Sequence, residues 1–250
     1  VWIVMNSCIK RGLAAEGELP GGLGIMRKAH MLNSRRHMDE SPETRENRLV
    51  CAYAYAVSEE NASCGEIVTA PTCGACGVLP AVLRYTADRR GFSENEIRRA
   101  IATAGIIGNV IKTNASISGA ECGCQAEIGS ASAMAAAALA ELCGASPAAS
   151  LSAAAMAVKN ILGLVCDPVA GLVECPCIKR NAMGAANAVL AADMALAGIS
   201  SIIPFDEVVG AMRSVGRLMN VDLRETARGG LAATATALEI TKNISMENED

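Results

Sequence analysis

Two long runs of small apolar residues constrain the fold of this chain more than any other feature. The runs, Ile128 to Ala140 and Cys143 to Val158, are rich in alanine, serine and glycine. Across the whole sequence 51% of the residues are hydrophobic, but only 2% are aromatic. Alanine has the highest helix propensity, whereas β-sheets favour β-branched and aromatic residues. We therefore expect an all-α protein whose helices pack closely together.

The length of these runs and the overall charge narrow the partners and the location that we expect. A membrane-spanning helix needs about 20 apolar residues, and Glu141 and Lys159 end the two runs before that length is reached. Val1 to Met5 is apolar but lacks the basic segment and the cleavage site of a signal peptide. The net charge of −4, with acids and bases interspersed, offers no basic surface for nucleic acid. We expect a cytoplasmic protein without membrane or nucleic-acid partners, and a membrane helix bundle is kept as an alternative.

Capping signals mark where several helices begin. Ser93 and Glu96 form a capping box, and Ser146 precedes Pro147 at a second start. Such signals, together with glycine and proline breakers, divide the chain into segments of helical length. The predicted helices are residues 1–15, 49–58, 94–111, 127–143, 147–163, 181–196 and 204–218.

Irregular segments rich in glycine lie between the predicted helices. Residues 33–48 are predicted as an exposed loop with some helix, and Lys112 to Asn114 as a polar turn that ends a helix. Loops on a rigid helical frame commonly carry functional sites. We therefore expect one globular helical domain over residues 1–250, with its site built from inter-helix loops. The candidate loops are residues 69–79, 112–126, 163–180 and 225–231.

Cysteines are concentrated in one part of the chain. The sequence holds 11 cysteines, and five of them lie between Gly119 and Arg180 outside a helix-like run. Without a secretion signal, such clustering favours metal, cluster or redox chemistry over disulfides. We expect three of the five thiolates to hold an iron–sulfur cluster, although spacing alone does not choose the three. The five cysteines are Cys122, Cys124, Cys166, Cys175 and Cys177.

A C-x-x-C pair provides a different hypothesis. Cys73 and Cys76 have the spacing of a redox pair or of half a zinc site. The sequence has no second C-x-x-C and no histidine pair to complete a zinc site, since His30 and His37 are its two histidines. The alternative function is a non-catalytic helical module that binds a metal or does redox chemistry through Cys73 and Cys76.

Five segments of the chain together resemble the motifs of the iron–sulfur-dependent L-serine dehydratases, in particular their α domain or α subunit. They occur in the order of that family and cover nearly the whole chain, from about Met5 to Leu231. The resemblance implies that Cys124, Cys166 and Cys177 bind a [4Fe–4S] cluster. The segments are LPGGLGIMRKA, TAPTCGACGVLPAVL, KTNASISGAECGCQAEIGSASAMAAA, LGLVCDPVAGLVECPCIKRNAMGA and ETARGGLA.

The reaction implied by the resemblance is β-elimination of L-serine to pyruvate and ammonia without pyridoxal phosphate. Three cysteine ligands leave one iron open as a Lewis acid for the departing hydroxyl group. No base is assigned in this chain, because the resemblance places it in a β domain that these 250 residues lack. Neither His30 nor His37 is assigned that role. The expected partners are L-serine and a β domain or β subunit in a homo- or hetero-oligomer, and the chain is expected to be inactive alone.

Polar residues in the candidate loops are the predicted substrate contacts. The carboxylate of serine needs hydrogen-bond donors held in place before the reaction. Each of these residues has the alternative of capping a helix or lying on a solvated surface, and Arg180 is expected to offset cluster charge. The predicted substrate-binding residues are Thr69, Thr72, Lys112, Asn114, Ser116, Ser118 and Arg228.

Overall fold

The computed structural model describes residues 1–34 and 39–247, so that His37 lies outside the described residues. In these ranges the regular structure is helical, apart from isolated β-bridges. The all-α prediction is therefore confirmed. The α-helices are α1 (Trp2–Ala14), α2 (Ala29–Ser34), α3 (Pro42–Ala62), α4 (Val78–Arg90), α5 (Glu94–Asn114), α6 (Gly119–Cys122), α7 (Ser130–Leu142), α8 (Pro147–Lys159), α9 (Cys177–Leu196), α10 (Phe205–Leu218) and α11 (Ala235–Glu247).

Helix α7 lies at the centre of the molecule. Every residue from Ser130 to Ala140 is buried, and α4, α5, α8 and α9 pack around the helix. Its alanine side chains allow these neighbours to approach closely, as the composition predicts. At the contact with α9, the Ser132 hydroxyl donates a hydrogen bond of 2.9 Å to the Gly184 carbonyl. Small side chains on all sides therefore give the protein its densely packed core.

The remaining helices surround this centre in two groups. Helix α3 lies against α1, α2, α4 and α9, while α10 packs on α8, α5 and α6. Helix α11 packs beside a 3₁₀ turn at Val169–Gly171. The C-terminal part of the chain is thereby brought next to the segment that carries Cys166 and Cys177.

Two predicted helix ends near the candidate site are wrong. Lys112 to Asn114 form the last turn of α5 and not a polar turn, because exposed polar side chains are compatible with a helix end. The chain leaves the helix at Ala115, where φ is −135° and ψ is −109°. Helix α9 begins at Cys177, four residues before its predicted start at Asn181. The cysteine therefore lies in the first turn of a helix, whereas the loop prediction placed it outside.

Other helix boundaries also differ from the prediction. Helix α3 begins at Pro42, because Ser41 caps its first turn by accepting a hydrogen bond from Thr44 N. Helix α8 ends at Lys159 and not at residue 163. Before α7, residues Gln125–Gly129 form a π-helical turn. Caps and tertiary contacts decide where these helices begin and end. Sequence patterns define the ends of a helix less well than its middle.

The capping box at the start of α5 is confirmed and supports a test of stability. Ser93 N donates to Glu96 Oε2 at 2.8 Å, and Glu96 N donates to Ser93 Oγ at 3.4 Å. We expect Ser93→Ala to lower the free energy of unfolding by about 1 kcal/mol, because the Glu96 amide at the start of the helix loses its acceptor. Chemical denaturation followed by circular dichroism measures the change. Ser214→Ala in α10 is the control, and equal losses in both variants would contradict the capping role.

None of the helices in the described ranges combines the length and the apolar character needed to cross a membrane.

Candidate functional site

Two cysteines and one glutamate meet in the interior of the protein. The ligand atoms of Cys124, Glu127 and Cys166 all lie within 4.8 Å of one another, and all three residues are buried. Glu127 Oε2 lies 3.7 Å from Cys124 Sγ and 4.0 Å from Cys166 Sγ. Within the described residues, no other group of three or more His, Cys, Asp or Glu side chains is this close. We call Cys124, Glu127 and Cys166 the thiol–carboxylate group.

The segment that contains Cys124 is fastened to the segment that contains Cys166. Cys124 immediately precedes the π-helical turn, and the next residue, Gln125, is almost fully buried. Gln125 N donates to the Leu164 carbonyl at 2.9 Å, and its side-chain oxygen accepts from Gly163 N at 3.0 Å. These hydrogen bonds hold the two cysteine segments in a defined register.

The C-terminal loop is attached to Cys166 from the other side. Cys166 N donates to the Leu223 carbonyl at 2.8 Å, and Glu225 N donates to the Cys166 carbonyl at 2.7 Å. The two segments form an isolated parallel bridge between Cys166 and Arg224. This bridge brings the Glu225 carboxylate close to the thiol–carboxylate group.

Cys177 belongs to the same electrostatic environment. It is buried at the N-terminus of α9, where the helix dipole favours a thiolate. Burial, and then the charge of nearby Cys124, raises the pKa of Cys177 to about 12. Cys177 is thus buried within electrostatic range of Cys124, but its sulfur is not among the mutually close ligand atoms of the thiol–carboxylate group, and its role as a cluster ligand stays a prediction.

Acidic groups are concentrated in this region. The neighbouring Cys124 thiol, with burial second, raises the pKa of Cys166. Burial raises the pKa of Glu127, and the Glu225 charge acts in the same direction. Without a compensating cation these buried thiols and carboxyl groups hold their protons, whereas a bound metal stabilises their deprotonated forms. The donor set therefore fits a metal centre with thiolate ligands.

The Cys166 thiol and two carboxylates approach the backbone closely at Gly119. A Cβ atom built on this glycine would lie 2.7 Å from Glu127 Oε2, 3.0 Å from Cys166 Sγ and 3.2 Å from Glu225 Oε2. These three atoms therefore face the backbone of Gly119, and a larger residue would collide with them. The absence of a side chain here lets the ligand atoms come together against the backbone.

A buried ion pair connects the cysteine segments to the C-terminal loop. Arg180, in the first turn of α9, lies 2.8 Å from Asp167 and donates to the Val165 carbonyl at 3.0 Å. The second Asp167 oxygen accepts from Leu231 N at 2.7 Å. The Arg180 charge also interacts with Cys124. Arg180 therefore lies where its charge acts on Cys124, and its role in offsetting cluster charge stays a prediction.

Comparison with known proteins agrees with this geometry. The family model described as "Serine dehydratase alpha chain" matches residues 1–232. The chain belongs to this family. Its relatives include the probable L-serine dehydratase, alpha chain, of Bacillus subtilis (strain 168), which is 47% identical over 247 residues, or 96% of this chain and 80% of the relative. The L-serine dehydratase alpha chain of Peptoniphilus asaccharolyticus is 50% identical over 198 residues, or 79% of this chain and 68% of that protein.

Longer relatives show a different coverage. L-serine dehydratase 2 of Escherichia coli (strain K12) is 48% identical over 247 residues, which are 96% of this chain and 54% of the relative. The L-serine dehydratase of Streptomyces coelicolor is 48% identical over 234 residues, 93% of this chain and 51% of the relative. This alpha-chain family member therefore spans about half the length of these two relatives.

One of the predicted substrate-binding residues contacts the thiol–carboxylate group directly. The Thr72 hydroxyl donates a hydrogen bond of 2.7 Å to Glu127 Oε1. Ser116 and Ser118 lie in the turn between α5 and α6, where Ser116 Oγ accepts from Ser118 N at 3.0 Å. Ser116 also donates to the Glu121 carboxylate. These three residues lie on segments that border the site, and their contact with substrate stays a prediction.

The other predicted substrate-binding residues lie farther out. Thr69 is exposed, and Lys112 and Asn114 are exposed in the last turn of α5. Arg228 is exposed and lies 3.1 Å from Asp222 in an ion pair. The structure does not bring these four side chains into the thiol–carboxylate group.

Asn181 is a functional-site residue that sequence analysis missed. Its side-chain oxygen accepts from Gly77 N at 2.8 Å, and its amide donates to the carbonyls of Gly74 at 2.7 Å and Cys177 at 3.0 Å. It therefore locks the C-x-x-C loop onto the start of α9. Glu127 was missed as well, although its position three residues after Cys124 was a visible signal.

The C-x-x-C pair does not form a second group of three or more close metal-ligand side chains among the described residues. Cys73 is exposed, whereas Cys76 is buried, and burial raises the pKa of Cys76. The closest polar contact of Cys76 Sγ is the Val57 carbonyl at 4.0 Å. In the described part of the chain, no further ligand group forms around either thiol. The two cysteines serve as parts of a tight loop packed beside the site.

Proposed function

We propose that this chain is the cluster-bearing component of an L-serine dehydratase, which converts L-serine to pyruvate and ammonia. The observation that carries the proposal is the buried meeting of Cys124 and Cys166 in a member of the serine dehydratase alpha chain family. Relatives about half identical to this chain are named L-serine dehydratases. Together they favour a lyase over a non-catalytic module built on Cys73 and Cys76.

The proposed cofactor is a [4Fe–4S] cluster held by Cys124, Cys166 and Cys177. When bound with three thiolates, such a cluster supplies a Lewis acid for the serine hydroxyl. The protein contributes burial, which excludes water, and Arg180, which offsets negative charge next to Cys124. A reactive centre needs both the exclusion of water and the compensation of charge to be in place before a substrate binds.

The proposed substrate-binding residues fall into two groups, according to how close they lie to the thiol–carboxylate group. Thr72, Ser116 and Ser118 lie on segments that border the thiol–carboxylate group, which supports them as residues close to the substrate. The remaining four lie at the periphery and are proposed to act when a partner covers that surface. Those four residues are Thr69, Lys112, Asn114 and Arg228.

A second component is proposed to complete the enzyme. The chain spans about half of the Escherichia coli and Streptomyces coelicolor relatives, and the Bacillus subtilis relative is named as an alpha chain. We propose that a β domain or β subunit supplies the base that removes the Cα proton. The complete enzyme is proposed to be a cytoplasmic oligomer.

Activity after reconstitution tests the proposed function. The chain is loaded with iron and sulfide without oxygen, mixed with the β component of a relative, and supplied with L-serine. We expect pyruvate to form in this mixture and to be absent when either the β component or the iron is omitted. Pyruvate formation that persists after iron removal would contradict the proposal, as would failure of the loaded mixture to act on serine.

A further inference from the structure

We propose that the Glu127 carboxylate is the fourth protein ligand of the cluster in the substrate-free enzyme. In this proposal its Oε2 atom binds the iron that the three cysteines leave open, and the serine hydroxyl displaces it. The inference rests on the proposed function, because it requires a cluster on Cys124, Cys166 and Cys177. It adds a ligand that the cysteine pattern did not contain.

The positions of the ligand atoms are the first argument. Glu127 Oε2 lies 3.7 Å from Cys124 Sγ and 4.0 Å from Cys166 Sγ, on the side where Gly119 has no side chain. The carboxylate therefore shares the space of the two thiols and is not separated from them by other atoms. A group bound by these cysteines meets Glu127 at contact distance.

The way in which Glu127 is held is the second argument. Its Oε1 atom accepts a hydrogen bond of 2.7 Å from the Thr72 hydroxyl, whereas Oε2 faces the thiols. A hydrogen-bonded second oxygen orients a ligating carboxylate in many metal sites. Gly74 leaves room for this arrangement, because a Cβ atom there would lie 2.9 Å from Oε1. One oxygen is thus anchored by Thr72, and the other is directed at the two thiols, from which it accepts weak hydrogen bonds.

The chemistry of the carboxylate is the third argument. A hard oxygen ligand binds iron more weakly than a thiolate in an iron–sulfur site, so substrate is able to replace it. A buried carboxyl group holds its proton unless a cation compensates its charge, and metal ligation would supply that compensation for Glu127. Glu225 is a second nearby carboxylate, but it is exposed and lies outside the group of mutually close ligand atoms. It therefore provides a matched control.

Isotope labelling combined with magnetic resonance tests the inference. The chain is produced with ¹³C-labelled glutamate, reconstituted with iron and sulfide without oxygen, and reduced so that the cluster is paramagnetic. Electron–nuclear double resonance then detects ¹³C nuclei whose carboxylate binds the cluster. We expect a ¹³C coupling in the wild-type chain and in Glu225→Gln, and its loss in Glu127→Gln.

A second variant guards against a folding defect. Glu127→Asp keeps a carboxylate but carries no label, so we expect it to retain the cluster and to lose the ¹³C coupling. We also expect Glu127→Gln to lose the iron that the three cysteines leave open more easily during mild oxidation. The expected loss of affinity for that iron is on the order of 10-fold, as is typical when a residue that supports a metal site is replaced.

The outcomes separate the inference from the proposed function. A wild-type chain that holds about four irons but shows no ¹³C coupling overturns the fourth-ligand inference alone. A coupling that survives in Glu127→Gln, or that disappears in Glu225→Gln, assigns the ligand to another glutamate and also overturns it. A wild-type chain that binds no iron overturns the proposed function and the inference together.

Discussion

Serine in place of Cys124, Cys166 or Cys177 is expected to abolish cluster binding in the reconstituted chain. The wild-type chain should hold about four irons and four sulfides, whereas each variant should retain on the order of a tenth of that iron. A serine hydroxyl stays protonated near neutral pH and is a poor ligand for iron–sulfur clusters, which require thiolates. Chemical assay of iron and acid-labile sulfide after anaerobic reconstitution measures the loss directly.

Two other cysteines serve as controls for this series. Cys73 is exposed, and Cys122 is buried against α10, where a Cβ atom at Gly216 would lie 2.5 Å from Cys122 Sγ. Cys73→Ser and Cys122→Ser are both expected to keep the wild-type iron content. If iron loss occurred only in Cys73→Ser, the C-x-x-C pair would be the metal site and the three-cysteine assignment would be wrong.

Replacement of Asn181 by alanine is expected to destabilise the protein by about 4 kcal/mol, because several buried backbone groups lose their hydrogen-bond partners. The side chain bonds Gly77 N and the carbonyls of Gly74 and Cys177, and it is almost fully buried. Its loss releases the 69–79 loop from the start of α9. Urea denaturation followed by circular dichroism measures the change in free energy of unfolding.

An exposed asparagine provides the comparison for this variant. Asn160 lies just after α8 and donates one hydrogen bond of 2.9 Å to Asn187. Asn160→Ala is expected to cost less than about 1 kcal/mol, since water replaces the lost partner. Similar costs for the two variants would show that the buried hydrogen bonds of Asn181 do not hold the loop in place.

Local signals in the sequence were sufficient to predict those features of the structure that depend on neighbouring residues. Ser93 and Glu96 form the predicted capping box, and the alanine-rich segment around Met134 forms a buried central helix, as its composition indicates. The same reasoning failed at Lys112 to Asn114, because polarity does not show whether a helix continues for another turn. A cap or a packing contact decides that, and neither is visible in a local pattern.

The candidate site was only partly accessible to sequence reasoning. The family was identified correctly from the five motifs. Spacing alone left open which three of the five clustered cysteines act as ligands, and the resemblance supplied Cys124, Cys166 and Cys177. Thr72 was chosen as a hydroxyl donor for substrate, whereas the structure shows that its hydroxyl donates to Glu127. Its partner is 55 residues away along the chain.

The sequence by itself determined the helical class and the family of this protein, because composition, caps and motifs are properties of contiguous residues. Only the tertiary structure decided the surroundings of the thiols. Glu127 lies beside Cys166, Asn181 bonds Gly77, and the bridge at Cys166 holds the backbone of Glu225 next to that cysteine. Each of these contacts joins residues far apart in the chain, and their distance depends on how the whole set of helices packs.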